Sequence, residues 1–202
     1  MTPSDTARPR GFAVCVGGIS GVGKTTLLQR HVLLHPCDQQ ITGSSVIKQI
    51  IAPAAFHELD AWPMARREQV REESIARLEH TRAACPGQLL IDGHFTLRNR
   101  QTGVLEPVFT PGDCDFYQAL VLVDCTASQV TRQRAQDQVR RNSNADDDTS
   151  RIEEHLEFER SWAARLRDRM DVPLLVIDHT DLERRLAALA EFLGQFVETA
   201  GG

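Results

Sequence analysis

The segment Gly18-Ile-Ser-Gly-Val-Gly-Lys-Thr25 follows the apolar run Phe12-Ala-Val-Cys-Val16 and satisfies Gly-x4-Gly-Lys-Ser/Thr at each required position. No other feature constrains the fold as much, because a buried strand must here turn through glycines directly into a helix. The residue types follow from phosphate chemistry. Glycines let backbone N–H groups turn inward around phosphate oxygens, a lysine reaches the β and γ phosphates, and a Ser/Thr hydroxyl ligates magnesium. Gly18, Ser20, Gly21, Val22, Gly23, Lys24, Thr25 and Thr26 are therefore the predicted nucleoside triphosphate contacts, with Thr25 on the metal. The helix that follows presents its positive end to the same anion. The loop reads phosphates alone, and no Asn/Thr-Lys-x-Asp guanine signature follows, so ATP and Mg2+ are the expected donor and cofactor.

Beyond the loop, strands and helices alternate, which predicts an α/β chain with a parallel sheet and crossover helices. Expected strands are Phe12 to Gly17, Gln88 to Asp92, Ala119 to Asp124 and Leu174 to Asp178, with a weaker one at Gln40 to Thr42. Expected helices are Thr25 to Leu34, Ser44 to Ile51, Met64 to Ala84, Ala127 to Arg141, Thr149 to Asp171 and Leu182 to Val197. The longest irregular stretches, Thr96 to Asp113 and Asn142 to Asp148, are the places to look for binding loops or a lid.

Composition narrows the functional classes. At 202 residues the chain suits one domain over 11–202, after a polar, proline-containing segment 1–10 that reads as a tail rather than a secretory signal or anchor. The 41% hydrophobic share suffices for a sheet core, and no window reaches the ~20 apolar residues of a membrane helix. The net charge of −5 argues against general nucleic-acid binding, which needs clustered cations. Cys15, Cys37, Cys85, Cys114 and Cys125 are odd in number and never form Cys-x-x-Cys, which predicts reduced thiols in a cytoplasmic protein. Lys24 and Lys48 are the only lysines, so nearly every cation is an arginine. Codon bias accounts for that as well as selection for bidentate phosphate contacts does.

Ligands of open parallel sheets lie beyond the carboxyl ends of the strands. Two carboxylates end apolar runs there: Asp92 in Leu89-Leu-Ile-Asp-Gly-His94, and Asp124 in Val121-Leu-Val-Asp124. Either pattern suits a group that holds magnesium through its water shell or accepts a proton from an attacking hydroxyl. Asp92 is preferred because Gly93 permits close backbone approach, whereas Asp124-Cys-Thr-Ala-Ser128 reads as a helix entry. His94 is a candidate acceptor contact, with ordinary loop hydrogen bonding as the plainer account. Arg132, Arg134, Arg140, Arg141 and Arg151 gather around the second long loop and suit a lid over about 132–151 that brings charge to a migrating phosphoryl group. A solvated helix face with ordinary ion pairs explains part of that cluster equally well.

Taken in order, Gly18-Ile-Ser-Gly-Val-Gly-Lys-Thr-Thr26, Gly43-Ser-Ser-Val46, the stretch Met64 to Arg71, Ile91-Asp-Gly-His94, Arg132 to Arg141 and Asp148-Thr-Ser-Arg-Ile-Glu-Glu-His155 resemble the archaeal-type adenylate kinases. These are small P-loop nucleoside monophosphate kinases, to which the human nuclear adenylate kinase-like proteins are also related. The resemblance implies a three-layer P-loop kinase fold with a mainly five-stranded parallel sheet, a small lid, and an acceptor region over about 38–87. It places Gly43 and Ser44 by the acceptor nucleotide, Arg66 or Arg67 by its phosphate, Asp92 by magnesium, and Arg134, Arg140 and Arg141 in the lid. It also implies oligomers, trimeric in archaeal members. The chain departs from ordinary bacterial adenylate kinases in having Asp92-Gly-His-Phe-Thr96 for Asp-Gly-Phe-Pro-Arg, with the following arginine displaced to Arg98 or Arg100.

Three functions fit these residues. The first is a nucleoside monophosphate kinase with Lys24, Asp92, Arg134, Arg140 and Arg141 as its catalytic groups. The second is a kinase for a hydroxyl on a small metabolite or nucleoside, with Asp92 as base. The third is an ATP-dependent switch with slow hydrolysis that acts on a partner.

Overall fold

The computed structural model describes residues 11–52, 55–141 and 148–198. The expected tail over 1–10 lies outside the described residues, as does 142–147 of the second long loop. In chain order the elements are β1 (Ala13–Gly17), α1 (Lys24–Leu34), β2 (Gln39–Thr42), α2 (Gly43–Ile50), a 3-10 turn (Ala55–Ala61), α3 (Met64–Ala84), β3 (Leu89–Asp92), β4 (Thr96–Arg98), β5 (Leu105–Pro107), α4 (Pro111–Phe116), β6 (Ala119–Val123), α5 (Ala127–Arg141), α6 (Thr149–Met170), β7 (Leu174–Ile177) and α7 (Leu182–Glu198).

Five strands form one parallel sheet in the order β2-β3-β1-β6-β7. Every residue of β1, β3 and β6 is buried, so these strands read as unbroken apolar runs, as strands covered on both faces must. Side chains still alternate between faces. Val14 and Val16 of β1, Leu90 of β3 and Val121 and Val123 of β6 join Leu27 and Leu28 of α1 and Leu186 and Leu189 of α7 in one core. Ala13, Cys15, Leu89, Ile91, Leu120 and Leu122 point the other way, against Ile75 and Leu78 of α3, Phe116 of α4 and Ala163 and Leu166 of α6. The result is three layers, helix on sheet on helix.

The stretch between β3 and β6 is not the irregular loop its polarity suggests. β4 and β5 pair antiparallel as a separate hairpin, with Thr96 opposite Pro107 and Arg98 opposite Leu105. Asn99 fixes the hairpin turn, its side-chain carbonyl accepting from the N–H groups of Gln101 (2.9 Å) and Thr102 (3.1 Å), while Gly103 supplies a left-handed φ of 73°. α4 follows through a capping box, with Thr110 and Asp113 each bonding the other's backbone. Across the hairpin, Arg98 pairs with Glu154 of α6 at 2.6 Å and Arg100 with Asp60 of the 3-10 turn at 3.8 Å. The hairpin thus spans the mouth between α6 and the segment before α3. No helix among the described residues is long and apolar enough to cross a membrane.

Candidate active site

The turn from β1 into α1 is held in a left-handed backbone that glycine tolerates: Gly18, Gly21 and Gly23 have φ of 136°, 94° and 92°. Gly23 caps α1 and has no side chain to bond the first N–H groups of that helix end, which lie beside the cavity lining of Gly23, Lys24 and Thr25. Lys24, 6% exposed, folds back and donates to the carbonyls of Gly18 (2.6 Å) and Ile19 (3.1 Å). Burial lowers its pKa, opposed by the negative charges of Asp92 and Glu159. A phosphate would offer that ammonium a full opposite charge in place of two neutral carbonyls.

Three longer side chains brace the loop from outside. Arg134 of α5 donates to the Ser20 carbonyl through Nε (3.1 Å) and Nη2 (2.9 Å). Arg185 of α7, buried, donates to the carbonyl of Val22 at 2.7 Å. Glu159 of α6, also buried, accepts from the N–H of Gly18 (2.9 Å), the N–H of Phe95 (3.0 Å) and the hydroxyl of Thr96. Desolvation raises the Glu159 pKa. Sequence reasoning missed both Arg185 and Glu159. The signal for Glu159 was present: it is the charged member of the stripe Ile152, Leu156, Glu159, Ala163 and Leu166 on one face of α6.

Thr25, the first hydroxyl of α1, donates to Oδ2 of Asp92 at 2.5 Å. The register explains the meeting: Asp92 pairs across from Val16, at the last turn of sheet before the phosphate loop, and its side chain shares the face of Leu90 and α1. Two hard oxygen donors side by side beside a phosphate loop fit Mg2+, which is held by one or two protein ligands plus substrate phosphates. No cluster of three His, Cys, Asp or Glu side chains able to hold a metal forms among the described residues. Asp124 is committed elsewhere. Its carboxylate accepts from Arg160 Nε (2.6 Å) and Nη2 (3.2 Å) and from the Cys125 N–H (2.9 Å).

A cavity of about 1430 Å³ runs from Ser20, Gly21, Gly23, Lys24, Thr25 and Thr26 to the far wall at Phe109 and Tyr117. Its size exceeds the roughly 300–1,000 Å³ of a single small-molecule pocket and leaves room for two ligands end to end. Gly43, Ser44, Asp92, His94 and Arg134 all line it. Gly18 and Val22 do not: the first turns its N–H to Glu159, and the second is wholly buried in the core. Burial, then the nearby Lys24 charge, holds the His94 imidazole well below its usual pKa, and a similar setting brings His155 down to about 4.

The arginines of α3 are sorted differently from expectation. Arg66 stacks on the Trp62 ring, 3.9 Å from its centroid, and Arg67 pairs with Glu106 at 2.7 Å; neither lines the cavity. Arg71, one turn on from Arg67, does. It donates to the Val108 carbonyl at 2.6 Å, and no carboxylate lies within ion-pair distance of it among the described residues. Desolvation lowers its pKa, with Asp113 the largest opposing charge. Spacing held the clue, since Arg71 adjoins the buried face of Val70, Ser74, Ile75 and Leu78. Of the expected lid, α5 extends to Arg141, but the side chains of Arg140 and Arg141 lie outside the described residues, as does 142–147.

The comparisons with known proteins agree with this architecture. No curated protein sequence matches the chain. Among solved structures, shikimate kinase from Acinetobacter baumannii in complex with shikimate is similar at a TM-score of 0.56 and 13% identity, covering 99% of this chain and 100% of that one. Shikimate kinase from Bacteroides thetaiotaomicron is similar at a TM-score of 0.53 and 13% identity, covering 91% and 98%. At that identity the likeness establishes a P-loop kinase fold and leaves substrates open. The family model described as AAA domain matches residues 17–153, which contain the phosphate loop, Asp92 and Arg71, and by that match this chain belongs to the AAA domain family.

Proposed function

We propose that the chain is an ATP- and Mg2+-dependent phosphotransferase whose acceptor is a nucleoside monophosphate. The observation that carries the reading is Arg71: a desolvated guanidinium with a carbonyl as its partner, in the same cavity as Lys24 and the Thr25–Asp92 pair. A half-buried guanidinium whose hydrogen-bond partner is a neutral carbonyl gains a charge-assisted partner when a ligand brings an anion. Its position in the cavity, apart from the phosphate loop, suits the anion of a second substrate.

In this reading the loop amides and Lys24 hold the donor phosphates, and Thr25 with Asp92 holds the magnesium. Magnesium would neutralise charge on the phosphates when bound. Arg71 orients the acceptor phosphate, whose ionised oxygen forms the new bond to the γ phosphorus as the bond to the β-phosphate oxygen breaks. No general base is required, because the nucleophile is already an anion. Gly43 and Ser44 flank the acceptor, and His94 stays neutral beside Lys24, adding no charge of its own. Arg134, with Arg140 and Arg141 further along α5, supplies positive charge over the transferring group. The motif order shared with archaeal-type adenylate kinases supports the same acceptor class.

A second reading has a specific support: guanidinium binds carboxylate as well as phosphate. The acceptor would then be a hydroxyl of an anionic metabolite, with Asp92 taking its proton. A coupled ADP-release assay with mass detection of products separates the two. A panel of AMP, CMP, UMP, GMP and dAMP, followed by nucleosides and hydroxy acids, should yield a diphosphate from one monophosphate. Phosphorylation of a hydroxyl compound alone would overturn the monophosphate reading, and ATP turnover that no acceptor stimulates would overturn both.

A further inference from the structure

Glu159 puts a negative charge beneath a loop built to receive anions. It is 1% exposed, and no cation pairs with it at ion-pair distance among the described residues. Its three donors come from two separate pieces of chain. Gly18 opens the phosphate loop; Phe95 and Thr96 open the hairpin whose Arg98 and Arg100 line the other part of the cavity. The sharing is tight, because one oxygen, Oε1, accepts both backbone N–H groups while Oε2 takes the Thr96 hydroxyl. Gly18 cannot shift without changing the bond geometry at Phe95. α6, which carries Glu159, also grips the hairpin through Glu154 and Arg98.

We propose that Glu159 is a positioning residue that couples the two halves of the site: nucleotide phosphates seated against Ser20 to Thr26 rigidify the loop that Gly18 opens, and through Glu159 they order the hairpin 95–107 for the acceptor. The coupling rests on the reading of the loop as an ATP site. Its basis is geometric rather than electrostatic, and the two are separable. In Glu159→Gln the side-chain carbonyl still accepts from Gly18 and Phe95, and the amide donates to the Thr96 hydroxyl, which is able to accept. The charge is gone and the link stays. Glu159→Ala removes the link. Thr96→Val, at a site with 0% exposure, removes the hydroxyl contact alone in a side chain of the same shape.

The experiment is amide hydrogen exchange across 95–107 with and without a non-hydrolysable ATP analogue and Mg2+, with nucleotide binding followed separately by calorimetry. The natural protein and Glu159→Gln should both show exchange slowed about tenfold on binding. Glu159→Ala should bind the analogue within about fivefold of the natural affinity yet lose the slowing. If that variant fails to fold, Thr96→Val carries the test and should lose at least about a threefold share of the slowing with its affinity unchanged. Full slowing in Glu159→Ala, or in Thr96→Val where the alanine variant is unfolded, overturns the coupling. Binding without any slowing in the natural protein does the same. Absence of binding heat in the natural protein brings down the ATP-site reading and the coupling with it, and calorimetry distinguishes that case from the others.

Discussion

Replacing Arg71 by methionine tests the acceptor end of the site with little structural disturbance. The guanidinium makes one hydrogen bond, to the Val108 carbonyl at 2.6 Å, so its loss removes about 1 kcal/mol of folding stability. Burying methionine instead of a desolvated cation offsets part of that, and the net change stays within about 1 kcal/mol, or 2–4 °C in thermal midpoint for a chain of this size. The acceptor loses far more. An anion brought into this cavity is left without its charged partner, and breaking such a pair costs about 3 kcal/mol, the low end for buried ion pairs because Arg71 is only half-buried. That corresponds to roughly a 150-fold rise in acceptor KM, with kcat and the KM for ATP within about threefold. Arg71→Lys keeps the charge and loses the planar fork, and should fall between, near a tenfold rise. Steady-state kinetics with the best acceptor of the panel, varied at saturating ATP and then held saturating while ATP is varied, reads both KM values and kcat. An acceptor KM that moves less than about fivefold in Arg71→Met, or an ATP KM that rises in step with it, would refute the assignment.

Lys24→Met should cut turnover by on the order of 10²–10³-fold, the range for deleting one charge-stabilising donor, while circular dichroism and thermal midpoint report a folded protein; retained turnover would move the site elsewhere. Asp92→Asn still accepts from Thr25 but loses its charge, and should shift the Mg2+ dependence of activity to higher concentrations. Asp124→Asn, by contrast, should lower stability by about 0.2–1 kcal/mol, since Arg160 is partly exposed, and leave the Mg2+ dependence alone; the reverse pattern would exchange the two carboxylates. His155 gives a pH prediction. Its folded pKa of about 4 lies below the usual 6.5 because of burial, so the unfolded chain takes up the proton first. Stability is therefore fullest above pH 6.5 and falls as pH drops towards 4, by at most about 3 kcal/mol from this group. In urea unfolding, His155→Gln should flatten the slope in that window, and an unchanged slope would place its origin in other groups.

Much of this was legible in the sequence, and the parts that were not have identifiable causes. The phosphate loop is a local signal, because its eight consecutive residues set the turn from strand to helix within one window of sequence. Strand and helix positions agree to within a residue or two because the buried runs are long and their flanks polar. Asp92 and Asp124 could not be separated by local pattern, since each ends an apolar strand. What separates them is facing. Asp92 follows Leu90 on the α1 side, where Thr25 waits, while Asp124 follows Leu120 and Leu122 in parity, towards α6 and Arg160. Facing depends on strand order, which no window of sequence holds. The hairpin 96–107 escaped because each of its strands is three residues long and polar, too short for period-2 alternation to register. The capping box at Thr110 and Asp113 was visible, and would have revealed α4. The resemblance pointed to Arg66 or Arg67, yet the cavity reaches Arg71, on the face of Arg67 but one helical turn further along α3, while Arg67 itself is taken by Glu106.

The place of β1 in the sheet bears on how the chain comes to be folded at all. The strand Ala13–Gly17 is made early, yet it sits at the centre, and its neighbours are Leu89–Asp92 on one side and Ala119–Val123 on the other. As the chain leaves the ribosome, an apolar strand must therefore wait, both edges open, until Leu89–Asp92 and then Ala119–Val123 have emerged. Long-range parallel pairing of this kind folds slowly, and an unpaired apolar strand in a nascent chain invites association with its neighbours. The same central position that aims the phosphate loop into the cavity makes the folding of this sheet depend on contacts far apart in the chain, Ala13 with Leu89 and Val14 with Ala119.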